Sequence, residues 1–228
     1  MSPKGGAPRR CRLCGEKAAL FYAQDSAERP YYWRCPACGF IFLDPRFYPS
    51  PSAAKERYLL HDNTAASKGY GEYLERFVRT CVLPFAPPGG SVLDFGSGPQ
   101  NPSLLSSILL KAGYSCDSYD PLFFPARAWR RKKYRCIILH EVAEHLTRPT
   151  FSFSLLAQRL EPEGILAVRT RFPPVDRRDF GAWWYRMDIT HISFYPPASL
   201  QRLAAKLGLS PALTLFPDSL VFVKTPDV

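Results

Sequence analysis

Residues 91–100 read S-V-L-D-F-G-S-G-P-Q and join a short apolar run directly to a turn with two glycines. The apolar half predicts a buried strand. Gly96 and Gly98 predict a turn with positive φ that a ligand can approach closely, because glycine has no Cβ. A helix is expected next, since leucine and isoleucine occupy one stripe over 104–109. A strand, a glycine turn and a helix in this order predict a ligand pocket at the carboxyl end of a sheet.

The charges around this turn indicate what the pocket binds. A dinucleotide-binding loop requires a third glycine, and Asn101 stands at that position. Asp94 precedes the turn, and Asp120 ends the next predicted strand, where it can accept the two hydroxyls of a ribose. A carboxylate beside the ligand opposes a pyrophosphate and favours a cation. The pattern therefore favours S-adenosylmethionine, which has a sulfonium and an ammonium group and no phosphate.

Strands and helices are predicted to alternate along most of the chain. Strands are expected at 115–119, 134–139 and 165–170, helices at 53–60, 70–82, 151–160 and 198–207, and a closing hairpin at 212–215 and 220–224. This alternation predicts an α/β fold with a Rossmann-like sheet and helices on both faces. Only 13 residues separate Asp120 from Tyr134, so a helix–strand–helix insertion is predicted to be shortened there.

Four of the seven cysteines form two C-x-x-C pairs with twenty residues between the pairs. This spacing is typical of a zinc ribbon, in which two knuckles complete a tetrahedron. The aromatic stretches 20–22 and 31–33 between the pairs predict a hairpin. We expect a structural Zn²⁺, because a closed four-thiolate site leaves no open coordination position. The predicted ligands are Cys11, Cys14, Cys35 and Cys38.

Composition limits the class of protein. The chain has 228 residues, 46% of them hydrophobic and 22% charged, which is typical of a globular protein. No apolar run approaches the length of a membrane span, and no secretory signal is seen, so we expect a cytoplasmic protein without a membrane partner. The predicted organisation is a zinc ribbon at 1–48, a helical connector and lid at 49–90, and a cofactor-binding domain at 91–228.

Three motifs in order resemble the class I S-adenosylmethionine-dependent methyltransferases. They are V-L-D-F-G-S-G, the acidic Asp120, and Y-R-C-I-I-L-H-E-V-A-E-H-L at 134–146. The likeness covers roughly 70–228 and is greatest to O-methyltransferases of the ubiquinone-biosynthesis type. It implies a Rossmann-like methyltransferase sheet and cofactor contacts from Asp94, Phe95, Gly96, Gly98, Asp120 and Glu141. The chain departs from the family pattern at Gln100 and Arg135 and in its missing third strand.

Glu141, Glu144 and His145 follow the predicted strand 134–139 at helical spacing, so they are expected to share one face of a turn. In the resembled O-methyltransferases such a set can bind a divalent cation that orients the substrate. Two carboxylates and an imidazole can bind an ion or act as a general base. Glu144 and His145 are therefore candidate catalytic residues. The alternative interpretation is that the three residues only shape the pocket.

A second cluster, W-W-Y-R-M-D-I-T-H, spans residues 183–191. In the resembled fold this connection lies over the pocket mouth, so it predicts a substrate lid. Its aromatic members can stack on a planar acceptor or face the sulfonium. Asp188 and His191 are candidate bases, or else they only stabilise the turn. The predicted substrate-binding residues are Trp183, Trp184, Tyr185 and, on the N-terminal side, His61.

The acceptor is the open question, and three hypotheses remain. The first is a methyltransferase acting on a small molecule or metabolite, as the E-x-x-E-H turn and the aromatic lid suggest. The second is an RNA methyltransferase, because the formal net charge is +10 and some rRNA methyltransferases have N-terminal zinc modules. The third is a non-catalytic protein whose ribbon recruits a partner. No oligomeric state follows from the sequence.

Overall fold

The computed structural model describes residues 9–23, 30–60 and 69–226. Within these ranges the strands are β1 (Arg9–Arg10), β2 (Lys17–Ala23), β3 (Tyr31–Arg34), β4 (Ile41–Leu43), β5 (Ser91–Phe95), β6 (Ser115–Tyr119), β7 (Tyr134–His140), β8 (Leu160–Arg169), β9 (Ser193–Phe194), β10 (Leu209–Leu215) and β11 (Ser219–Lys224). The helices are α1 (Pro51–Leu59), α2 (Tyr70–Phe77), α3 (Leu104–Lys111), α4 (Pro149–Ala157), α5 (Arg177–Ala182) and α6 (Pro197–Lys206). No helix in this part of the chain has both the length and the apolarity to span a bilayer.

The larger sheet has six strands in the spatial order β10-β11-β8-β7-β5-β6. β5 pairs in parallel with β6 and β7, and β7 pairs in parallel with β8. β11 and β10 continue the sheet antiparallel to β8 as the predicted hairpin. The predicted α/β class with a mixed sheet is confirmed: helices alternate with the parallel strands from β5 to β8, except between β6 and β7, and the antiparallel hairpin closes the sheet.

Both faces of the central strands of the larger sheet are buried, since alternate residues point to opposite faces and helices pack on each face. On one face, Leu93 and Ile137 pack in the cluster that contains the apolar side of α4 and α6. On the other face, Val92 and Ile138 pack with α2, α3 and the π-helical turn Val78–Val82. The expected arrangement with helices on both faces is therefore observed.

The segment after β6 is shortened, as predicted from the distance between Asp120 and Tyr134. In place of a helix–strand–helix unit it contains the 3₁₀ turn Ala128–Arg131. β6 is consequently the end strand of the sheet. Trp129 on the 3₁₀ turn packs against Phe95 and Tyr119 and closes this edge.

A smaller antiparallel sheet contains the cysteine-rich part of the chain, in the order β1-β2-β3-β4-β9. β2 and β3 form the predicted aromatic hairpin. β4 continues this sheet beside β3. β4 pairs with β9, which comes from far along the chain. Sequence patterns do not reveal this pairing because β9 has only two residues.

Candidate active site

A cavity of about 880 Å³ opens at the carboxyl ends of β5, β6 and β7. The glycine turn forms one wall, and the 3₁₀ turn Trp184–Met187 with the residues up to His191 borders the mouth. Part of α1 also lines the cavity, through Arg57 and Tyr58. His61 lies outside the described residues. The volume is in the range of small-molecule sites.

Asp94 is buried at the end of β5 and organises the start of α3. Ser103, the N-cap of α3, donates to its Oδ2 at 2.6 Å, and Ser106 donates to the same atom at 3.1 Å. Burial raises the pKa of Asp94, although the two hydroxyl donors oppose that shift. The residue lines the cavity, and its carboxylate also holds the helix that follows the glycine turn.

The two glycines of the turn are required for different reasons. Gly96 has φ +84°, and a Cβ on it would lie 2.5 Å from Val142. Gly98 has φ +77°, and nothing lies within 4 Å of the place where its Cβ would be. Both backbones occupy the left-handed region that disfavours other residues. The space beside Gly98 is part of the cavity wall, so a ligand can approach the backbone there.

Asp120 connects the glycine turn to the loop after β6. Its Oδ2 accepts a hydrogen bond from the Gly98 amide at 3.1 Å. Its Oδ1 accepts from the amides of Leu122 and Phe123 at 2.8 and 3.2 Å. All four residues line the cavity. The carboxylate therefore lies beside the turn, where the ribose of a nucleoside was predicted, and it is already oriented by three backbone donors.

Glu141 and Glu144 contact the same tyrosine hydroxyl. The Tyr185 hydroxyl lies 2.7 Å from Glu141 Oε2 and 2.5 Å from Glu144 Oε1. Tyr73 donates to the other Glu141 oxygen at 2.9 Å. Burial, with the nearby Glu144 charge, raises the pKa of Glu141 to about 7, and burial also raises the pKa of Glu144. Since one phenol has one proton for two carboxyl groups, we infer that the pair shares a further proton near neutral pH.

The predicted helical face of the E-x-x-E-H motif is not formed. Glu141 has φ +56°, and only Ala143–His145 forms a single 3₁₀ turn. Glu144 points into the interior with no exposure, and it does not line the cavity, whereas Glu141 and His145 do. The motif does not form a helix because the positive φ of Glu141 lies outside the right-handed helical region, and both carboxylates contact Tyr185.

Two imidazoles face each other at the base of the lid. The ring centres of His145 and His191 are 4.8 Å apart. His145 Nδ1 lies 2.9 Å from the Thr190 carbonyl oxygen, and His191 Nδ1 lies 2.6 Å from that of Tyr185. A neutral imidazole in such a contact has its proton on Nδ1, so Nε2 has the lone pair. One ligand atom each from Glu144, His145 and His191 lie within 4.8 Å of one another. His191 thus takes the place predicted for Glu141 in a candidate divalent-cation group.

The lid residues divide into anchors and exposed side chains. Trp183 does not line the cavity, contrary to its predicted substrate role; it packs on Phe180 and Phe194. Trp184 lines the mouth and is 62% exposed. Asp188 forms an ion pair with Arg57 at 2.8 Å and accepts from the amide and hydroxyl of Thr190. These contacts favour a turn-stabilising role for Asp188 over that of a base.

Comparison with known proteins places this chain in a family. Residues 69–213, well over half of the chain, match the family model described as a methyltransferase domain. The chain belongs to that methyltransferase family. The enzyme class predicted from the glycine turn, Asp120 and the 134–146 motif is thereby confirmed. The search of curated proteins gives no match.

Solved structures agree on the fold. The methyltransferase is similar to the magnesium protoporphyrin IX methyltransferase of Synechocystis PCC 6803, solved with bound S-adenosylhomocysteine. The TM-score is 0.51 at 18% identity over 79% of this chain and 97% of that one. It is also similar to an O-methyltransferase family 2 protein of Planctomyces limnophilus in complex with apigenin. There the TM-score is 0.51 at 15% identity over 76% of this chain and 63% of that one.

The four predicted zinc ligands of the methyltransferase meet at one point. Their sulfur atoms lie within 4.8 Å of one another, with Sγ–Sγ distances of 3.6 Å for Cys11 and Cys38 and 3.4 Å for Cys14 and Cys35. Tetrahedral Zn²⁺ with bonds of about 2.3 Å separates its sulfur ligands by about 3.8 Å. The cluster therefore fits a zinc ion in size and donor type.

Sequence reasoning missed Arg186, which joins the cysteine-bearing sheet to the lid of the methyltransferase. It is 5% exposed, and it donates to the carbonyls of Phe180 and Gly181. Its guanidinium also lies over the rings of Tyr22 and Tyr32. The only signal in the sequence was an arginine in an aromatic-rich lid segment. That signal does not reveal the contact, because Tyr22 and Tyr32 lie about 150 residues earlier.

Proposed function

We propose that this methyltransferase transfers the methyl group of S-adenosylmethionine to a small-molecule acceptor. The observation that supports this most directly is the shared cavity, which connects the glycine turn to the imidazoles of His145 and His191. The structural relatives named above are a magnesium protoporphyrin IX methyltransferase and an O-methyltransferase family 2 protein in complex with apigenin, both small-molecule names. The mouth of the cavity is bordered on several sides by side chains of this protein, which suits a compact acceptor.

The cofactor side of the cavity suits a cationic nucleoside. Gly98 leaves room for close approach to the backbone, and Asp120 offers carboxylate oxygens beside it. The carboxyl groups of Glu141 and Asp94 line the same space. S-adenosylmethionine supplies an electrophilic methyl group when bound. Because the chemistry is a displacement, the main contribution of the protein is to align the acceptor atom.

On the acceptor side, His191 and His145 are proposed to take the proton of the acceptor. Their Nδ1 atoms contact backbone carbonyls, which supports an Nε2 lone pair as the proton-accepting atom. Tyr58 packs edge-on against His145 at 5.1 Å and restrains the ring. A base is needed only where the acceptor must lose a proton, for example a hydroxyl. Glu144 is proposed to act through Tyr185 as a positioning residue.

A divalent cation at Glu144, His145 and His191 is a second possibility that the geometry supports. Two imidazoles and a carboxylate suit such an ion, and the contacts at Nδ1 orient both rings as second-shell partners do. The ion would orient an acceptor oxygen. Methyl transfer with and without added Mg²⁺ or Mn²⁺ after chelation tests it: unchanged turnover in the chelated protein argues for the base role.

Several finer predictions remain proposals. We propose a structural Zn²⁺ on the four cysteines, a cytoplasmic location, and membership of the ubiquinone-type O-methyltransferase subgroup. The division into 1–48, 49–90 and 91–228 is proposed as well. In the described residues, β9 from the third part pairs with β4 from the first, so these parts are expected to fold as one unit.

The test offers labelled S-adenosylmethionine to a fractionated cell extract with the wild-type protein. We expect label in small molecules. His191→Asn should reduce this labelling, whereas the matched surface variant Gln158→Asn should label as the wild type does, which distinguishes an effect at the site from a general loss of folding. Label in RNA would instead favour the RNA hypothesis, and binding to RNA would then weaken steeply with salt. Failure to bind S-adenosylmethionine by calorimetry would favour the non-catalytic hypothesis.

A further inference from the structure

The mouth of the cavity is bordered by three exposed apolar side chains from one short segment. Trp184, Met187 and Ile189 line the cavity and are 62%, 60% and 55% exposed. We call these three residues the rim. Isolated exposed apolar residues are ordinary, but several grouped at the edge of a pocket indicate a binding surface.

The rim is held rigidly by the residues between its members. Tyr185 is buried and hydrogen-bonds to Glu141 and Glu144, and Arg186 is buried among aromatic rings. Asp188 is held by Arg57. Because Tyr185, Arg186 and Asp188 are held in this way, the backbone directs the neighbouring apolar side chains outward. Their exposure therefore follows from the way the segment is anchored.

Polarity changes from the interior of the cavity to the rim. Inside lie the carboxyl groups of Asp120 and Glu141 and the imidazoles of His145 and His191. At the rim, the Arg171 guanidinium lies 5.3 Å from the centre of the Trp184 ring, and the Asp188 carboxylate between Met187 and Ile189 is paired with Arg57. A ligand that matches both regions has a polar reacting end and an apolar body.

We propose that the methyl acceptor is an amphipathic small molecule, whose hydroxyl or amine group enters the polar interior while its apolar body lies across the rim. The inference rests on the proposed function and names the substrate class of the same site. The rim is continuous with the cavity, which favours the acceptor itself as the occupant. Three side chains present on the order of a few hundred Å², whereas a stable protein interface needs about 800 Å² per partner.

The test uses a series of 4-n-alkylphenols, from methyl to octyl, as probes. Their affinity for the protein is measured by calorimetry with S-adenosylhomocysteine present. We expect the association constant to rise about two- to fourfold per methylene over the first carbons of the chain. In the double variant Met187→Ser/Ile189→Ser this increment should fall by half or more, while 4-methylphenol binds as before.

Phe216→Ser is the matched control, because Phe216 is 73% exposed and does not line the cavity. It should keep the wild-type increment. An association constant independent of chain length, or an unchanged increment in the rim variant, would overturn the proposal. So would co-sedimentation of the wild type, but not of the rim variant, with phosphatidylcholine–phosphatidylglycerol vesicles, since the rim would then contact a membrane. S-adenosylmethionine binding and lysate labelling are measured in parallel, so the proposal about the rim can be refuted while the proposed function stands.

Discussion

The Arg186 guanidinium lies 4.9 Å from the centre of the Tyr22 ring, and this contact connects the cysteine-bearing sheet to the segment that borders the cavity. Tyr185, the next residue back, holds Glu141 and Glu144. β4 and β9 reinforce the connection, since Leu43 donates to the Ile192 carbonyl and Ile192 donates to that of Glu144. The N-terminal unit therefore supports the segment that borders the cavity, although none of the described residues of the cysteine-bearing strands β1–β4 lines the cavity itself.

Replacing Arg186 should loosen this connection. In Arg186→Leu the carbonyls of Phe180 and Gly181 lose their buried donor and the aromatic rings lose their cation, which should lower the free energy of unfolding by about 2–4 kcal/mol. Urea unfolding measures the change. The exposed Arg79→Leu serves as a control and should stay within about 0.5 kcal/mol. Equal stability of Arg186→Leu and the wild type would contradict the role given to this residue.

Metal removal should affect the N-terminal unit first. Elemental analysis of the purified protein is expected to find about one zinc per chain, and Cys38→Ser should lose it. Because structural zinc supplies folding free energy, the melting temperature should drop in that variant and in wild type treated with a chelator. Cys116→Ser, outside the cluster, should keep both the metal and the melting temperature. A metal-free wild type of full stability would refute the zinc proposal.

Valine at Gly96 should block the cofactor wall. Its Cβ would clash with Val142 and its φ of +84° is strained, so binding of S-adenosylmethionine should weaken at least ~100-fold, a loss of about 2.7 kcal/mol. Calorimetry measures the affinity. Gly71→Ala is the control, since Gly71 has open space at its Cβ position. The zinc content of Gly96→Val should equal that of the wild type, and retained cofactor affinity would show that the turn is not the binding wall.

The buried Glu141 makes stability depend on pH. Its pKa in the folded protein is about 7, above the usual 4.5, so the folded state holds this proton more tightly than the unfolded state. The stabilisation is complete below about pH 4.5 and is lost as pH rises towards 7, which amounts to about 1–3 kcal/mol. In Glu141→Gln this part of the slope should vanish, as measured by urea unfolding at several pH values. The control Glu72→Gln, at an exposed position, should keep the pH dependence of the wild type. If Glu141→Gln and the wild type show the same pH dependence of the free energy of unfolding, Glu141 is not its source.

Much of the fold follows from local patterns of the sequence. The strand at 91–95, the glycine turn and the alternation of apolar strands and helices could be predicted, because side-chain periodicity and glycine act over a few residues. The two C-x-x-C pairs could be recognised for the same reason, since the spacing within each pair is local. The short connection after Asp120 predicted a shortened helix–strand–helix insertion, and the structure adds that β6 is the end strand of the sheet.

The sequence by itself therefore determined the class of fold, the cofactor wall and the candidate zinc ligands. Only the tertiary structure decided which residues meet across the cavity. It brought His191 to His145 and turned both glutamates of the E-x-x-E-H motif towards Tyr185. It also joined β4 to β9 and seated Arg186 among aromatic rings of the N-terminal hairpin. The physical reason is distance along the chain: these partners are separated by about 40 to 160 residues, so no local period or spacing encodes their contact.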